Sequence, residues 1–381
     1  MKKMLMLASV ASMIDQFNIP NIELLQEMGY EVHVACNFEK GSTCTPEKVK
    51  ALQNRLDDMG VRYFQIDFSR NILKVNEILT AYKQVKELLE KEKYTFIHCH
   101  SPIGGAVGRL AAHRTHTKVI YTAHGFHFYK GAPLLNWLIY YPIEKWLSRY
   151  TDVLITINKE DYQRAKQKFH AKETRYIPGV GIDVEKIQAV QVDRDAKRRE
   201  LGIEPDDFLL LSVGELNKNK NHEVVIRALA ELNDKKVKYA ICGKGDLKEY
   251  LEELAKKLGV RDRLFLLGFR TDVIEICKSA DVFVFPSKRE GLGLAALEGM
   301  ACGLPLITSN RHGINDYSKT GISGYKYKPS DVEGFADGIN RIRYNKMLKE
   351  KAKNYNEKMV KEFDVGKSKR TMRSIYIKYS R

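Results

Sequence analysis

Short apolar runs of strand length alternate with amphipathic helical stretches along almost the whole chain, and the alternation starts afresh halfway. Strands separated by helices cannot pair through tight hairpins, so neighbouring strands are expected to run parallel, joined by helical crossovers. In the first half the expected strands are residues 4–8, 31–35, 96–100, 118–122 and 153–157, with helices between them at, for example, 19–28 and 72–91. A second series begins after Glu185, at residues 208–213, 238–242, 264–267, 282–285 and 305–308. Between the two lies Ile177-Pro-Gly-Val-Gly-Ile-Asp183, a turn-rich segment suited to a hinge.

The fold class expected from this pattern is α/β, with two Rossmann-like doubly wound domains facing one another across a cleft. Ligands in such sheets bind beyond the carboxyl ends of the strands. The expected boundaries are 1–183 for an N-terminal Rossmann-like domain and 184–360 for a C-terminal one. Residues 361–381 are expected to form a basic, helical tail that returns to the N-terminal domain. The 381 residues and 44% hydrophobic content suffice for two cores.

No run of about 18 apolar residues occurs, so no transmembrane helix is expected. The start, Met1-Lys-Lys-Met-Leu-Met-Leu-Ala8, has the charge of a signal peptide, but Asp15 and Gln16 cut its apolar run short. It reads as a first buried strand, and the expected location is the cytoplasm. Cys36, Cys44, Cys99, Cys242, Cys277 and Cys302 are scattered without a C-x-x-C pair, as expected of reduced cysteines and not of a zinc site or disulfide framework. The net charge of +16 is concentrated towards the end: residues 341–381 hold 14 Lys/Arg against 4 Asp/Glu, a net +10. No nucleic-acid-binding module accompanies these charges, which leaves a solvated helical face or attraction to an anionic membrane surface.

A nicotinamide-dependent dehydrogenase would need G-x-G-x-x-G straight after a strand. The first strand is followed by Ser9-Val-Ala-Ser-Met-Ile-Asp15, which has no glycine, and Gly243-Lys-Gly245 lacks the third one. That reading is set aside.

The chemistry concentrates in Glu290-Gly-Leu-Gly-Leu-Ala-Ala-Leu-Glu298, which follows a strand and opens a helix. Gly291 and Gly293 permit close approach to the backbone, and the free amides at a helix start suit a phosphate. Glu290 and Glu298 can accept hydrogen bonds from sugar hydroxyls, so the stretch describes a sugar-nucleotide pocket. Gly214-Glu-Leu-Asn-Lys-Asn-Lys-Asn221 places Lys218 and Lys220 at another strand end, either as an exposed basic turn or as partners for a diphosphate. Gly243, and the pair Phe269 and Arg270, mark two further strand ends. Of His98 and His100, on one strand, only one is expected to face the cleft, and a metal site is not expected.

Together these segments resemble the retaining glycosyltransferases of family four, which have the two-domain GT-B fold. The resemblance covers nearly the whole chain and rests on the E-x7-E pair Glu290 and Glu298 within Pro-Ser-Lys-Arg-Glu-Gly-Leu-Gly-Leu. His98-Cys-His100-Ser-Pro, Tyr121-Thr-Ala-His-Gly-Phe-His127, Ile177–Asp183 and Arg311-His-Gly-Ile-Asn-Asp316 look like members that build bacterial capsular or exopolysaccharide repeat units. The resemblance implies that Glu290 holds hydroxyls of the donor sugar and Glu298 those of the ribose. It implies that the amides of Leu292, Gly293 and Leu294 meet the diphosphate or sugar, that Lys220 is the diphosphate lysine, and that the backbone around Arg270 reads the base. His124 would face the donor sugar from the other domain. Two departures stand out. Glu215 occupies the place of the family's usual arginine, so that role would pass to Asn217, Lys218 or helix dipoles or be lost, and Ser9 to Ser12 replace the usual glycine-rich loop.

The expected activity is transfer of a hexosyl or N-acetylhexosaminyl group, with retention, from a nucleotide diphosphate (UDP by family habit) to a hydroxyl of a lipid-linked saccharide. No metal or other cofactor is expected. The aromatic stretch from Pro133 to Trp146 fits a core or interdomain helix, or peripheral contact with the inner face of the plasma membrane. A sugar-nucleotide epimerase of the same fold and a non-catalytic binding subunit are the other readings.

Overall fold

A computed structural model describes residues 2–41 and 45–379. Cys44 lies outside the described residues; Cys36, Cys99, Cys242 and Cys277 are buried and unbridged. The chain divides into two compact units, 1–180 with 367–381, and 181–366. The division falls at Val180/Gly181, inside the turn-rich segment, and at Gly366/Lys367, rather than at 183/184 and 360/361.

The first unit carries β1 (Lys2–Val10), β2 (Tyr30–Asn37), β3 (Arg62–Gln65), β4 (Phe96–His100), β5 (Lys118–Ala123), β6 (Val153–Thr156) and β7 (Glu173–Tyr176). They form a seven-stranded sheet in the order β3-β2-β1-β4-β5-β6-β7, with every pairing parallel. Helices cover both faces, so the central strands are apolar on both sides. Met4 and Met6 enter one core with Val32 and Val34, while Leu5 and Leu7 enter another with Ile97 and Cys99, as the period of two requires. No glycine loop follows β1: the strand passes directly into the helix Ala11–Phe17.

The end of the chain belongs to this unit. Helix Val365–Tyr379 buries Tyr376 beside Phe96, with the tyrosine hydroxyl 2.8 Å from His98 Nδ1. Its basic side is partly neutralised, with Lys369 and Arg373 on Glu27 and Lys378 on Glu173, each at 2.8 Å. Exposed pairs of this kind contribute little each, about 0–1 kcal/mol, so the buried face is what holds the helix. Helix Leu134–Leu147 is also two-sided. Trp137, Tyr140 and Tyr141 pack on the core, whereas Leu134, Leu135, Leu138, Ile143 and Trp146 are exposed. No helix among the described residues is long and apolar enough to cross a membrane.

The second unit carries β8 (Phe208–Val213), β9 (Val237–Cys242), β10 (Leu264–Gly268), β11 (Val282–Phe285), β12 (Leu306–Ser309) and β13 (Gly324–Tyr327). Its six-stranded parallel sheet runs β10-β9-β8-β11-β12-β13. The strand order reverses between β8 and β11. Crossovers diverge to opposite faces at such a point and leave a crevice beyond the strand ends. In the first unit the same reversal falls between β1 and β4.

Candidate active site

The second unit's reversal point is where the two chemistry-bearing loops meet. After β8, residues 214–221 form a turn built on Asn217. Its Oδ1 accepts from the amides of Asn219 (3.0 Å) and Lys220 (2.9 Å), and its Nδ2 donates to Glu215 Oε2 (2.8 Å). Asn219 Nδ2 then donates to the Arg289 carbonyl (3.0 Å), the Lys288 amide to the Asn219 carbonyl (2.8 Å), and Asn221 Nδ2 to the Pro286 carbonyl (3.1 Å). The loops after β8 and β11 are thereby one hydrogen-bonded platform.

On that platform Lys220 Nζ donates to Glu290 Oε1 at 2.6 Å and stands 5.0 Å from the centroid of the Phe285 ring. The two side chains are 22% and 14% exposed, so the pair is only partly screened by water. Next to Glu290, the backbone amides of Leu292, Gly293 and Leu294 make no hydrogen bond among the described residues. Gly293 precedes helix Leu294–Ala301 at φ 91°, and no side chain among the described residues caps that helix. A Cβ on Gly293 would lie 2.6 Å from the Phe285 ring. Packing and backbone conformation therefore demand a glycine there before any ligand does. Leu292 is buried, and its carbonyl accepts from the Tyr317 hydroxyl (3.0 Å). The Gly313 amide, within the Arg311–Asp316 motif, braces the loop through the Glu290 carbonyl (3.1 Å).

Glu298, on the same helix, is half-buried and makes no side-chain hydrogen bond among the described residues; burial raises its carboxyl above the usual range. Gly243 donates its amide to the Gly268 carbonyl (2.7 Å), and a Cβ there would lie 1.9 Å from the Gly214 carbonyl. The loops after β8, β9 and β10 are thus in close backbone contact, which brings exposed Phe269 to the same sheet edge. Arg270 is committed elsewhere. Its guanidinium bonds Asp272 (2.7 Å) and Glu200 (2.6 Å), and these bonds raise its pKa and lower that of Asp272.

Lys218 and Asn217 differ from Lys220. Both border a cavity of about 330 Å³ lined also by Asn221, His222, Tyr250 and Lys288, a lining that does not include Lys220 or Glu290. Asn217 is already consumed in building its turn, and exposed Glu215 is turned towards it. Of the substitutes expected for the missing arginine, the free amides before helix Leu294–Ala301 are the donors next to Glu290.

His124 lies in the first unit, after β5. Its Nε2 is 3.0 Å from His100 Nδ1, its ring centroid lies 5.3 Å from that of Phe17 at a tilt of 52°, and burial lowers its pKa to about 4. The expectation that His98 and His100 diverge is corrected. Residues two apart share one face of a strand, and their rings lie 4.2 Å apart, both buried. His98 is saturated, with Nδ1 on Tyr376 and Nε2 on Thr122 Oγ1 (2.8 Å). At this unit's reversal point Ser9 Oγ meets Ser101 Oγ (2.6 Å) and accepts from the Gly104 amide (2.9 Å), standing in for the absent glycine loop. No cluster of metal-ligating side chains occurs among the described residues. His100, Phe285 and Tyr317 were missed as site residues in the sequence. The His98-x-His100 spacing, read with the correct period, would have exposed the first.

The family description "Glycosyl transferases group 1" matches residues 193–359, and "Glycosyltransferase Family 4" matches 22–186. EpsD of Bacillus subtilis (strain 168), whose name assigns it as a glycosyltransferase, is 37% identical over 99% of this chain and 97% of its own length. The UDP-Gal:alpha-D-GlcNAc-diphosphoundecaprenol alpha-1,3-galactosyltransferase of Escherichia coli is 29% identical over 97% of this chain and 95% of its own. Among solved structures, Anabaena HepE in complex with UDP-glucose superposes with a TM-score of 0.78 at 17% identity, covering 99% of this chain and 100% of that one. The lipopolysaccharide-biosynthesis glycosyltransferase WaaG gives 0.71 at 18% identity, covering 98% and 99%. Two parallel α/β units of this kind form a GT-B architecture. The chain belongs to the family-four glycosyltransferases, with the group 1 domain forming most of its second unit.

Proposed function

We propose that this glycosyltransferase transfers a hexosyl or N-acetylhexosaminyl group from a UDP-sugar to a hydroxyl of a lipid-linked saccharide, with retention, in bacterial capsular or exopolysaccharide biosynthesis. The observation that carries the reading is the Lys220–Glu290 pair beside the free amides of Leu292, Gly293 and Leu294 at the strand-order reversal. Lys220 and those amides receive the diphosphate, Glu290 the sugar hydroxyls and Glu298 the ribose, with Gly243, Gly291 and the backbone around Phe269 and Arg270 shaping the nucleoside end. His124 meets the sugar. The bond from the anomeric carbon to the diphosphate breaks, the acceptor oxygen attacks on the same face, and its proton passes to the departing diphosphate. Fixed cationic and amide charge at that diphosphate stabilises the developing negative charge, as a metal ion would in other enzymes. No resident cofactor is needed.

The relative from Escherichia coli is named for a diphosphoundecaprenol-linked acceptor, which supports an acceptor of that class. The exposed apolar side of helix Leu134–Leu147 and the net +10 of residues 341–381 support work at the cytoplasmic face of an anionic membrane. Incubation with UDP-sugars and an undecaprenyl-diphosphate-linked saccharide should yield one longer lipid-linked product with the donor's anomeric configuration. Inverted product, or donor consumed without an acceptor as by an epimerase, would refute the proposal. Cosedimentation with anionic vesicles should be strong at low salt and weakened by salt. Absence of binding at low salt would remove the membrane part.

A further inference from the structure

The contact between His100 and His124 has a direction that can be worked out from what surrounds it. Each imidazole is neutral at pH 7, because burial lowers both pKa values, so each carries one N–H. One ring must therefore donate across the 3.0 Å gap between His100 Nδ1 and His124 Nε2. If His124 donated, His100 would carry its own proton on Nε2. That atom is buried and has no hydrogen-bond partner among the described residues. Its neighbour His98 offers no help, since both His98 nitrogens are occupied by Tyr376 and Thr122. A stranded buried N–H is rarer than a stranded lone pair. If His100 donates, only a lone pair is stranded.

We infer that His100 is a positioning residue that donates Nδ1–H to His124 Nε2 and fixes His124 as its Nδ1–H tautomer. His124 then meets its ligand as a hydrogen-bond donor, not as a base. The His124 Nδ1 makes no hydrogen bond among the described residues and is the ring's remaining polar atom. The ligand class this selects is an oxygen acceptor, such as a sugar hydroxyl or a phosphoryl oxygen. The idea rests on the reading that His124 touches substrate, but its central test does not. It gives the His98-x-His100 motif a division of labour: His98 anchors the C-terminal helix through Tyr376, and His100 sets the proton of His124.

Long-range proton–nitrogen NMR on the full-length protein with labelled histidine reads the tautomer without any turnover. The expected result is a protonated Nδ1 and a bare Nε2 on His124. Protonation at Nε2 instead overturns the inference, whatever the enzyme's activity. Kinetics form the second arm. His100→Leu should release His124 from the single tautomer and lower kcat about tenfold or more, with a smaller effect on KM for the donor. His100→Asn places an amide donor where Nδ1 stood and should restore both the tautomer and a larger share of turnover. His124→Asn, which keeps a donor near Nδ1, should outperform His124→Gln. Equal loss in His100→Asn and His100→Leu with both folded, or the reverse ranking at His124, contradicts it. Absence of transfer by the wild type would refute the proposed function alone, since the tautomer reading stands apart from it.

Discussion

Replacing Glu290 by glutamine should make the protein bind free uridine diphosphate more tightly while it loses transfer. Lys220 Nζ is held 2.6 Å from Glu290 Oε1, and the two side chains are 22% and 14% exposed. Unit charges about 4 Å apart attract by roughly 4 kcal/mol at the effective dielectric of a protein surface. Desolvation and the ordering of a long lysine side chain offset much of that, which leaves a coupling of about 1–3 kcal/mol in a double-mutant cycle. A diphosphate must compete with Glu290 for the ammonium. Glutamine retains an oxygen acceptor but not the charge, so part of the coupling becomes available to the ligand. A gain of about 1.4 kcal/mol, or tenfold in Kd, is the expected scale. Lys220→Ala should weaken uridine diphosphate by at least as much and destabilise the fold, because it leaves a partly buried carboxylate without its cation. Calorimetric titration with uridine diphosphate, and urea unfolding of the wild type, both single variants and the double variant, give the numbers. Additive unfolding energies, with unchanged nucleotide affinity in Glu290→Gln, would refute the reasoning.

The remaining predictions concern stability. Burial raises the Glu298 pKa, so the folded state favours its protonated form, and that contribution is lost as pH rises through the folded value. Glu298→Gln should therefore raise Tm at pH 7, with the difference shrinking in acid; a difference that grows in acid contradicts this. The histidines behave oppositely. Burial lowers His98 to about 3 and His124 to about 4, from an ordinary 6.5. The unfolded chain thus binds more protons below pH 6.5, and stability should fall towards pH 4 by about 1.4 kcal/mol per pH unit for each such histidine. Urea midpoints that stay flat from pH 7 to 5 would exclude it. Gly293→Ala, at φ 91 with its new methyl 2.6 Å from the Phe285 ring, should cost more than the roughly 1–2 kcal/mol of the left-handed conformation alone, read as a lower urea midpoint.

The strands legible in the sequence were those buried on both faces, such as Phe96–His100, Phe208–Val213 and Val282–Phe285, because parallel central strands must be continuously apolar. Arg62–Gln65, Glu173–Tyr176 and Gly324–Tyr327 escaped notice. They lie at sheet edges, half exposed, and their polar residues carry no burial pattern. Lys220 and Glu290 were each legible from their position at a strand end, but their union was not. They lie 70 residues apart, and only the order of β8 and β11 in the sheet brings them together. Asn217 looked like a ligand and is a turn builder, since a short amide side chain after a glycine turn finds backbone amides nearer than any substrate. At Arg270 the expectation concerns the backbone alone, and the side chain's charge is taken up by Glu200 and Asp272, one of them from a distant helix.

The position of the diphosphate decides the account most directly. A crystal structure of the protein with bound uridine diphosphate should place a phosphate oxygen about 3 Å from Lys220 Nζ, with further oxygens on the amides of Leu292, Gly293 or Leu294 and Glu290 displaced from the lysine. A nucleotide seated instead in the cavity bordered by Lys218, Tyr250 and Lys288, with the Lys220–Glu290 pair intact, would contradict it.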